Sequence, residues 1–423
     1  LPAYLRLIII PAFILICLTG AEASLIKIPE DFTVIQDAID AAISGDTIMA
    51  TAGIYKGDGN RNLNFGGKAL TLISESGSDE TIIDCDAGYT TGSFRGFIFE
   101  NGEDSSSQVI GFTIRNGGLL GIGYEPSGGA GIYIYNASPF FFDCIFENNI
   151  IDPGGKKLTA VVTDELSGGA VLCDSAAAPQ FFDCVFQDNA VWHGGGAVYC
   201  YMASPLFDGC LFVDNYAFRG PGAAILCDSL SMPEIVSCTF AGNFVERGEG
   251  AGIGCRSGSR MTIDRTIIAF NINGEAVYCD TSGFADISCS NVYGNGGGDW
   301  IGCIEGQVAS YGNMYMDPGF CDALLADFHI SLLSPCLPEN NECSELVGAL
   351  DMGCLGFLCG DVSGNDIINI LDVTYLISFL YKNGPAPPVF EAADCNQTGN
   401  IDILDITYLI EYLYRAGPDP VCQ

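Results

Sequence analysis

A short phrase, Cys-x-Phe-x-x-Asn, returns along this chain at a near-constant interval, and it limits the possible fold more than any other feature. It reads "CIFENN" from Cys144, "CVFQDN" from Cys184, "CLFVDN" from Cys210 and "CTFAGN" from Cys238, then decays to "TIIAFN" from Thr266. The closing asparagines are Asn149, Asn189, Asn215, Asn243 and Asn271, with one longer step between the first two. A second series, Cys173, Cys200, Cys227, Cys255 and Cys279, keeps a similar interval. Runs such as "AVYC", "SPLFDG" and "CLFV" are short, alternating and bounded by Gly, Pro or Asn. Each unit therefore predicts two or three short strands with tight corners. A unit of this size cannot bury its apolar face alone. Stacking units in parallel register buries it and pairs each backbone group with the coils above and below. Identical residues then repeat about 4.8 Å apart, which suits a ladder of Asn amides and interior columns of small apolar Cys.

Stacking also disposes of a metal reading. In "DCVFQDNAVWHGGGAVYC", residues 183–200, two cysteines flank His193. Cys184 and Cys200 belong to different columns, whereas zinc needs ligands within about 2.3 Å of one point. The columns are expected to hold mostly buried free thiols, because parallel Cβ vectors match a disulfide torsion poorly.

Composition narrows the partners. With 52 acidic and 16 basic side chains the formal charge is −36, which disfavours nucleic acid and anionic membrane and favours divalent cations. Residues 1–23 carry one positive charge at Arg6, an apolar run and then Ala21-Glu22-Ala23. They predict a signal peptide, hence an extracellular or cell-surface protein with no membrane span in the mature chain.

Residues 28–55, "IPEDFTVIQDAIDAAISGDTIMATAGIY", place Ile35, Ala38, Ile39 and Ala42 at helical spacing, break at Gly45-Asp46 and resume as a strand. This opening and the repeat behind it resemble right-handed parallel β-helix proteins of the pectin-lyase-like superfamily. The resemblance implies an all-β solenoid with an N-terminal capping helix, expected over residues 24–357 with on the order of eleven coils.

From residue 358 to 423 the pattern changes. "DVSGNDIINILD" (361–372) and "DCNQTGNIDILD" (394–405) are loops with oxygen-bearing side chains at positions 1, 3, 5, 9 and 12, followed by near-duplicate helical runs "ILDVTYLISFLYKNGP" and "ILDITYLIEYLYRAGP". That spacing wraps a hard cation, as in an EF-hand. The tandem resembles a type I dockerin, a small all-α EF-hand-like domain. The resemblance implies two calcium ions, the first held by Asp361, Ser363, Asn365, the Ile367 carbonyl, Asn369 and Asp372. The second would be held by Asp394, Asn396, Thr398, the Asn400 carbonyl, Asp402 and Asp405. Asp366 departs from the glycine usual at the sixth loop position, and Thr398 is a weaker ligand than carboxylate. The implied partner is a cohesin-like protein or another surface receptor. The apolar pairs Ile370-Leu371 and Ile403-Leu404 stand where cellulosomal dockerins often have small polar residues, so intramolecular docking onto the solenoid also stays open. Cys359 and Cys422 bracket the module and are candidates to clasp its ends.

No catalytic residue follows from the sequence. The "NTD" and "GHG" motifs of related galacturonan hydrolases are missing, and His193 and His329 are the only histidines. Calcium-dependent lyases need an Asp cluster and an Arg or Lys base that no single motif encodes. One surface constellation stands out. Four positions beyond the ladder asparagines come His193, Arg219 and Arg247, with Trp192, Tyr216, Phe218 and Phe244 beside them, and the long insertion adds Lys156 and Lys157. Such a corner suits an acidic polysaccharide, with guanidinium groups pairing carboxylate or sulfate and aromatics stacking on sugar faces. The competing expectation is a solvated turn whose arginines neutralise Glu246, Glu249 and Asp214. Function is thus read as a glycan-binding or adhesive surface anchored by a dockerin, with a polysaccharide lyase or glycoside hydrolase delivered to a multienzyme complex as the alternative.

Overall fold

A computed structural model describes residues 23–88, 92–120, 128–152, 167–365, 367–415, 417, 418 and 420. The expected signal segment, apart from its last residue, and Lys156, Lys157 and Cys422 lie outside the described residues.

One coil shows why the repeated phrase exists. Val198–Tyr201 is a strand of a seven-stranded sheet, Leu206–Asp208 of a ten-stranded one and Leu211–Val213 of a nine-stranded one. Tyr216–Arg219 follows in a five-stranded sheet, and a glycine-rich return leads to Ile225–Asp228, back in the seven-stranded sheet. These central coils thus carry four strands, one more than the sequence predicts, because "YAFR" pairs in parallel with "FVER" of the next coil. The corners are set by backbone conformation. Asp183, Gly209 and Ser237 precede the phrase cysteines, and Asp188, Asp214 and Gly242 precede the ladder asparagines, all at positive φ, a region that Gly, Asn and Asp tolerate best.

The interior is columnar. Phe146, Phe186, Phe212 and Phe240 stack with ring centroids 4.5–4.8 Å apart. At the next corner the Asn215 amide donates to Asn243 Oδ1 at 3.0 Å and to the Phe186 carbonyl at 2.8 Å. Its own Oδ1 accepts from the Asn189 backbone and amide. The same ladder joins Asn149 to Asn189 and continues past Asn271 to Asn295, one rung beyond the sequence reading. Cys144, Cys184, Cys210 and Cys238 are buried free thiols. Cys173, Cys200, Cys227, Cys255 and Cys279 run in strict register. The first four are free, while Cys279 is bonded to Cys303.

Helix α1 (Ile35–Ala41) buries Ile35, Ala38 and Ile39 in the main core, with Ala42 beside them. The other end departs from expectation. The longest sheet has ten strands, so the stack is shorter than eleven coils. Phe320–Asp322, Asp327–Ser331 and Met352–Cys354 form a separate mixed sheet instead of further coils. This segment covers apolar residues on the outside of the nine-stranded sheet. Phe328 packs with Val213 and Ala241, and Ile330 and Val347 pack with Ile267 and Ala269. Cys289–Cys343 ties it to the stack, and Cys321–Cys354 closes it on itself. His329, expected on a coil edge, sits here, its Nδ1 2.8 Å from Asp327 Oδ1.

Beyond it lie α2 (Ile370–Lys382), α3 (Phe390–Ala393) and α4 (Ile403–Arg415) around a core of Val362, Val373, Leu376, Ala393, Cys395, Ile406 and Leu409. Cys359 is disulfide-bonded; the other end of the expected clasp lies outside the described residues.

Candidate functional site

The five-stranded sheet comprises Gly118–Leu120, Ile150–Asp152, Ala190–Val191, Tyr216–Arg219 and Phe244–Arg247. Its inward residues, among them Val191, Ala217 and Val245, form a small second core with Ala130 and Ala223 of the glycine-rich returns. Strand alternation then turns Tyr216, Phe218 and Phe244 outward. Trp192 and Phe218 lie with ring centroids 4.2 Å apart, and Tyr216 and Phe244 5.6 Å apart. Trp192, Phe218, Tyr216, Ile150 and Ala190 line an open hollow of about 200 Å³.

Two cations border the hollow. Arg219 and Arg247 are register partners at their strand ends, and both are exposed. The Arg219 guanidinium is 5.8 Å from the Trp192 ring centre, and that of Arg247 is 5.1 Å from the Phe218 ring centre. The arginines therefore close strands rather than sit in a turn. Their neutralisation is slight. Arg247 Nε stands 4.0 Å from Glu246, whose carboxylate accepts a hydrogen bond from the Tyr216 hydroxyl. Burial and that carboxylate push the Tyr216 phenol up to about 12. Arg219 makes no ion pair among the described residues. Asp214 packs against Gly242, and burial and Asp188 raise its pKa. His193 is half-buried next to the returning glycines. Lys156 and Lys157 lie outside the described residues.

The second candidate site is the helical module. In its first loop Asp361 Oδ1 accepts from the backbone of Gly364 and Asn365, and Asp372 from that of Ser363 and Asn369. In its second, Asp394 accepts from Thr398 and Gly399, and Asp405 Oδ2 from Asp402. Gly399 takes a φ of +78° at the sixth position, where the turn needs it. Asp372 and Asp405 are fully buried. Asp405 Oδ1 has no hydrogen-bond partner, and burial together with Asp394 and Asp402 raises the pKa of this carboxyl. A buried carboxylate oxygen facing other carboxylates without a donor is costly, and a hard cation would satisfy it. Among the described residues no three His, Cys, Asp or Glu side chains gather as a metal cluster. The other oxygen-bearing positions expected in the two loops are Ser363, Asn365, Asn369, Asn396, Thr398 and the Ile367 and Asn400 carbonyls.

Residues 103–313 match the family described as right handed beta helix region, and residues 359–414 match the dockerin type I domain. This chain is a right-handed parallel β-helix protein with a C-terminal type I dockerin domain. Type I dockerins are calcium-binding domains whose partners are cohesins. Similar solved structures include a pectin methylesterase from carrot, with TM-score 0.38 and 12% identity over 71% of this chain and 90% of that one. An alginate lyase from Paenibacillus sp. str. FPU-7 gives 0.32 and 11% over 70% and 98%. A pectin methylesterase in complex with hexasaccharide VII gives 0.33 and 14% over 72% and 94%. No curated protein sequence matches the chain. Among the described residues no helix is long and apolar enough to cross a membrane.

The dockerin presents its two halves alike. Ile370 and Leu371 at the start of α2, and Ile403 and Leu404 at the start of α4, are each about half exposed, at 46, 55, 49 and 54%. The matched pairs leave two equivalent apolar patches on the module. In the first, the Asn369 side chain caps α2 by accepting from Leu371 N, so the loop and the patch share one helix start.

Proposed function

We propose that this is an extracellular protein whose β-helix binds an acidic polysaccharide across the five-stranded sheet, while the dockerin anchors it to a cohesin-like partner. The observation that carries the reading is the pair Arg219 and Arg247, stacked in successive coils beside an aromatic hollow with little carboxylate to neutralise them. In a chain of net charge −36, exposed cations of this kind suit an anionic ligand. Guanidinium groups one coil apart would pair carboxylates along the sugar chain, and Trp192, Phe218 and Tyr216 would take the apolar sugar faces. Two calcium ions, held by the loop residues named above, would neutralise the buried Asp372 and Asp405 and fix the orientation of α2 and α4. The two apolar pairs at the helix starts would then form the receptor-facing surface.

The test is affinity electrophoresis or calorimetry with polygalacturonate, alginate and a sulfated glycan, comparing the mature chain with Arg219→Ala/Arg247→Ala. Loss of polyanion binding in the double variant, with an unchanged melting transition, supports the reading. Equal binding by both proteins overturns it.

A second reading, a polysaccharide lyase or glycoside hydrolase, is favoured by a cleft of about 400 Å³ next to Arg219 and Arg247, lined in part by Glu249, Arg256, Tyr278 and Asp280. Turnover on uronic-acid and neutral polysaccharides with calcium separates the two. Unsaturated product indicates a lyase and new reducing ends alone a hydrolase, whereas no turnover leaves a binding surface.

A further inference from the structure

The seven-stranded sheet carries a period twice that of the coil. Its successive strands read "IYIY" (Ile132–Tyr135), "VLCD" (Val171–Asp174), "VYCY" (Val198–Tyr201) and "ILCD" (Ile225–Asp228). Isoleucine, valine and cysteine point inward in all four, so the alternation concerns the outer face alone. There Tyr135, Asp174, Tyr201 and Asp228 are register partners in one file. Tyrosine thus occupies every second rung, and two rungs span about 10 Å.

The file is built on a firm backing. Tyr133 and Tyr199, two residues earlier in the same strands, are 8% exposed and pack with Leu172 and Leu226. Their rings lie beside the outer ones, with centroids 6.4 Å apart for Tyr133–Tyr135 and 6.5 Å for Tyr199–Tyr201. The outer rings remain 42 and 38% exposed. Between them, Asp174 accepts, among the described residues, the adjacent Ser175 hydroxyl. The far end of the file is closed, since Asp228 is buried and held by Arg256 at 2.7 Å and by Tyr199 at 3.2 Å.

We infer that this file is a binding strip for an uncharged, extended 1,4-linked polysaccharide, separate from the cationic hollow and independent of the reading proposed for it. Two rungs match the length of a disaccharide unit, so Tyr135 and Tyr201 stack on every second sugar of one chain. Asp174, midway, accepts hydrogen bonds from the hydroxyls of the sugar between them. Charge sets the class of ligand. Glu100 is exposed one position beyond the strand Phe97–Phe99 that pairs with Ile132–Ile134, and with Asp174 it leaves the strip acidic. Of the arginines beside the file, Arg256 is committed to Asp228, and Arg95, 5.6 Å from the Tyr133 ring centre, is buried and donates to the Gly128 and Gly129 carbonyls. A polyanion is repelled here, whereas a neutral sugar brings hydroxyl donors.

Calorimetry on the full mature chain with cellohexaose, xylohexaose and mannohexaose tests the strip. We expect at least one to bind, and Tyr135→Ala/Tyr201→Ala to weaken it by roughly tenfold or more. Tyr135→Phe/Tyr201→Phe should retain binding, and Arg219→Ala/Arg247→Ala should leave it unchanged. The matching disaccharide, too short to reach both rings, should bind more weakly than the hexasaccharide. Both tyrosines are exposed, so circular dichroism and melting should match the parent and exclude misfolding as the cause. Failure of all three hexasaccharides to bind overturns the inference, as does unchanged affinity in the alanine double variant. Binding of an acidic oligosaccharide that is lost in that variant overturns it too.

Discussion

Arg247 stands over Phe218 of the preceding coil, its guanidinium 5.1 Å from the ring centre, and so links two rungs of the stack at the edge of the aromatic hollow. An exposed cation held over a ring keeps its charge available to a ligand, but that charge is screened by salt. Polyanion binding at this corner should therefore fall steeply between about 0.05 and 0.5 M NaCl, where the Debye length shrinks to a few ångströms. Neutral-oligosaccharide binding on the tyrosine file should change little across the same range. Calorimetric titrations at several salt concentrations give both slopes.

Asn215 joins three coils through its side chain. Asn215→Ala would leave the Asn189 backbone N–H, the Asn189 amide and the Phe186 carbonyl short of a buried partner. At about 1–3 kcal/mol for each group left unsatisfied, the loss should be several kcal/mol. Urea denaturation of this variant should show a clear fall in midpoint. Asn295, at the end of the ladder and 7% exposed, should be less sensitive to the same change.

The thiol columns should be chemically silent in the folded chain. Eleven described cysteines are free and buried, and a thiol packed out of reach of solvent is closed to a reagent whatever its protonation state. A thiol reagent such as DTNB should label almost none of them under native conditions. After unfolding without reductant it should label at least 11. Rapid native labelling would show that the columns open.

Stacked corner carboxylates set a pH dependence. Burial raises Asp143, Asp183, Asp188 and Asp214 above the usual 3.8, with neighbouring acids adding to the shift for each. The folded chain then holds these protons more tightly than the unfolded one, so stability falls as pH rises through the raised values. Acidification from neutral pH toward about pH 4, the unfolded value of these carboxyls, should raise the melting temperature. Asp280 works in the opposite sense. Against burial, the backbone N–H groups of Ser257, Ser282 and Gly283 hold it at about 2, so its contribution disappears as pH falls toward that value. Asp183→Asn/Asp214→Asn should flatten the limb between about pH 4 and neutrality; melting curves across this range test it.

Calcium should stabilise the dockerin through Asp405. A ligand bound only by the folded state adds about 2.7 kcal/mol at a concentration 100 times its dissociation constant. Chelation should therefore lower the melting transition of the helical module, and Asp405→Ala should abolish most of the calcium response. Unfolding followed by circular dichroism at 222 nm, with and without calcium, reads both effects.

The repeat interval, the inward Phe, Cys and Asn columns and the tandem loops were legible in the sequence because each rests on a periodicity that local chemistry must obey. A parallel stack places equivalent residues in register, and a twelve-residue cation loop needs oxygen at fixed positions. Arg219 and Arg247 could likewise be placed in one line by counting from Asn215 and Asn243. The fourth strand of the coil was not legible, since "YAFR" becomes a strand only through its pairing with "FVER". Nor was the end of the stack. Residues 317–354 have strand-like composition, and only the apolar outer face around Val213, Ala241 and Ala269 draws them back over the nine-stranded sheet. The charge state of the corner was decided the same way. Sequence placed Glu246, Glu249 and Asp214 near the arginines, whereas side-chain packing gives Glu246 to Tyr216 and turns Asp214 onto Gly242. Periodicity is a property of the chain and can be read along it. Which outer face is covered, and which charge stays open to a ligand, depends on contacts between distant coils that exist only once the stack has formed.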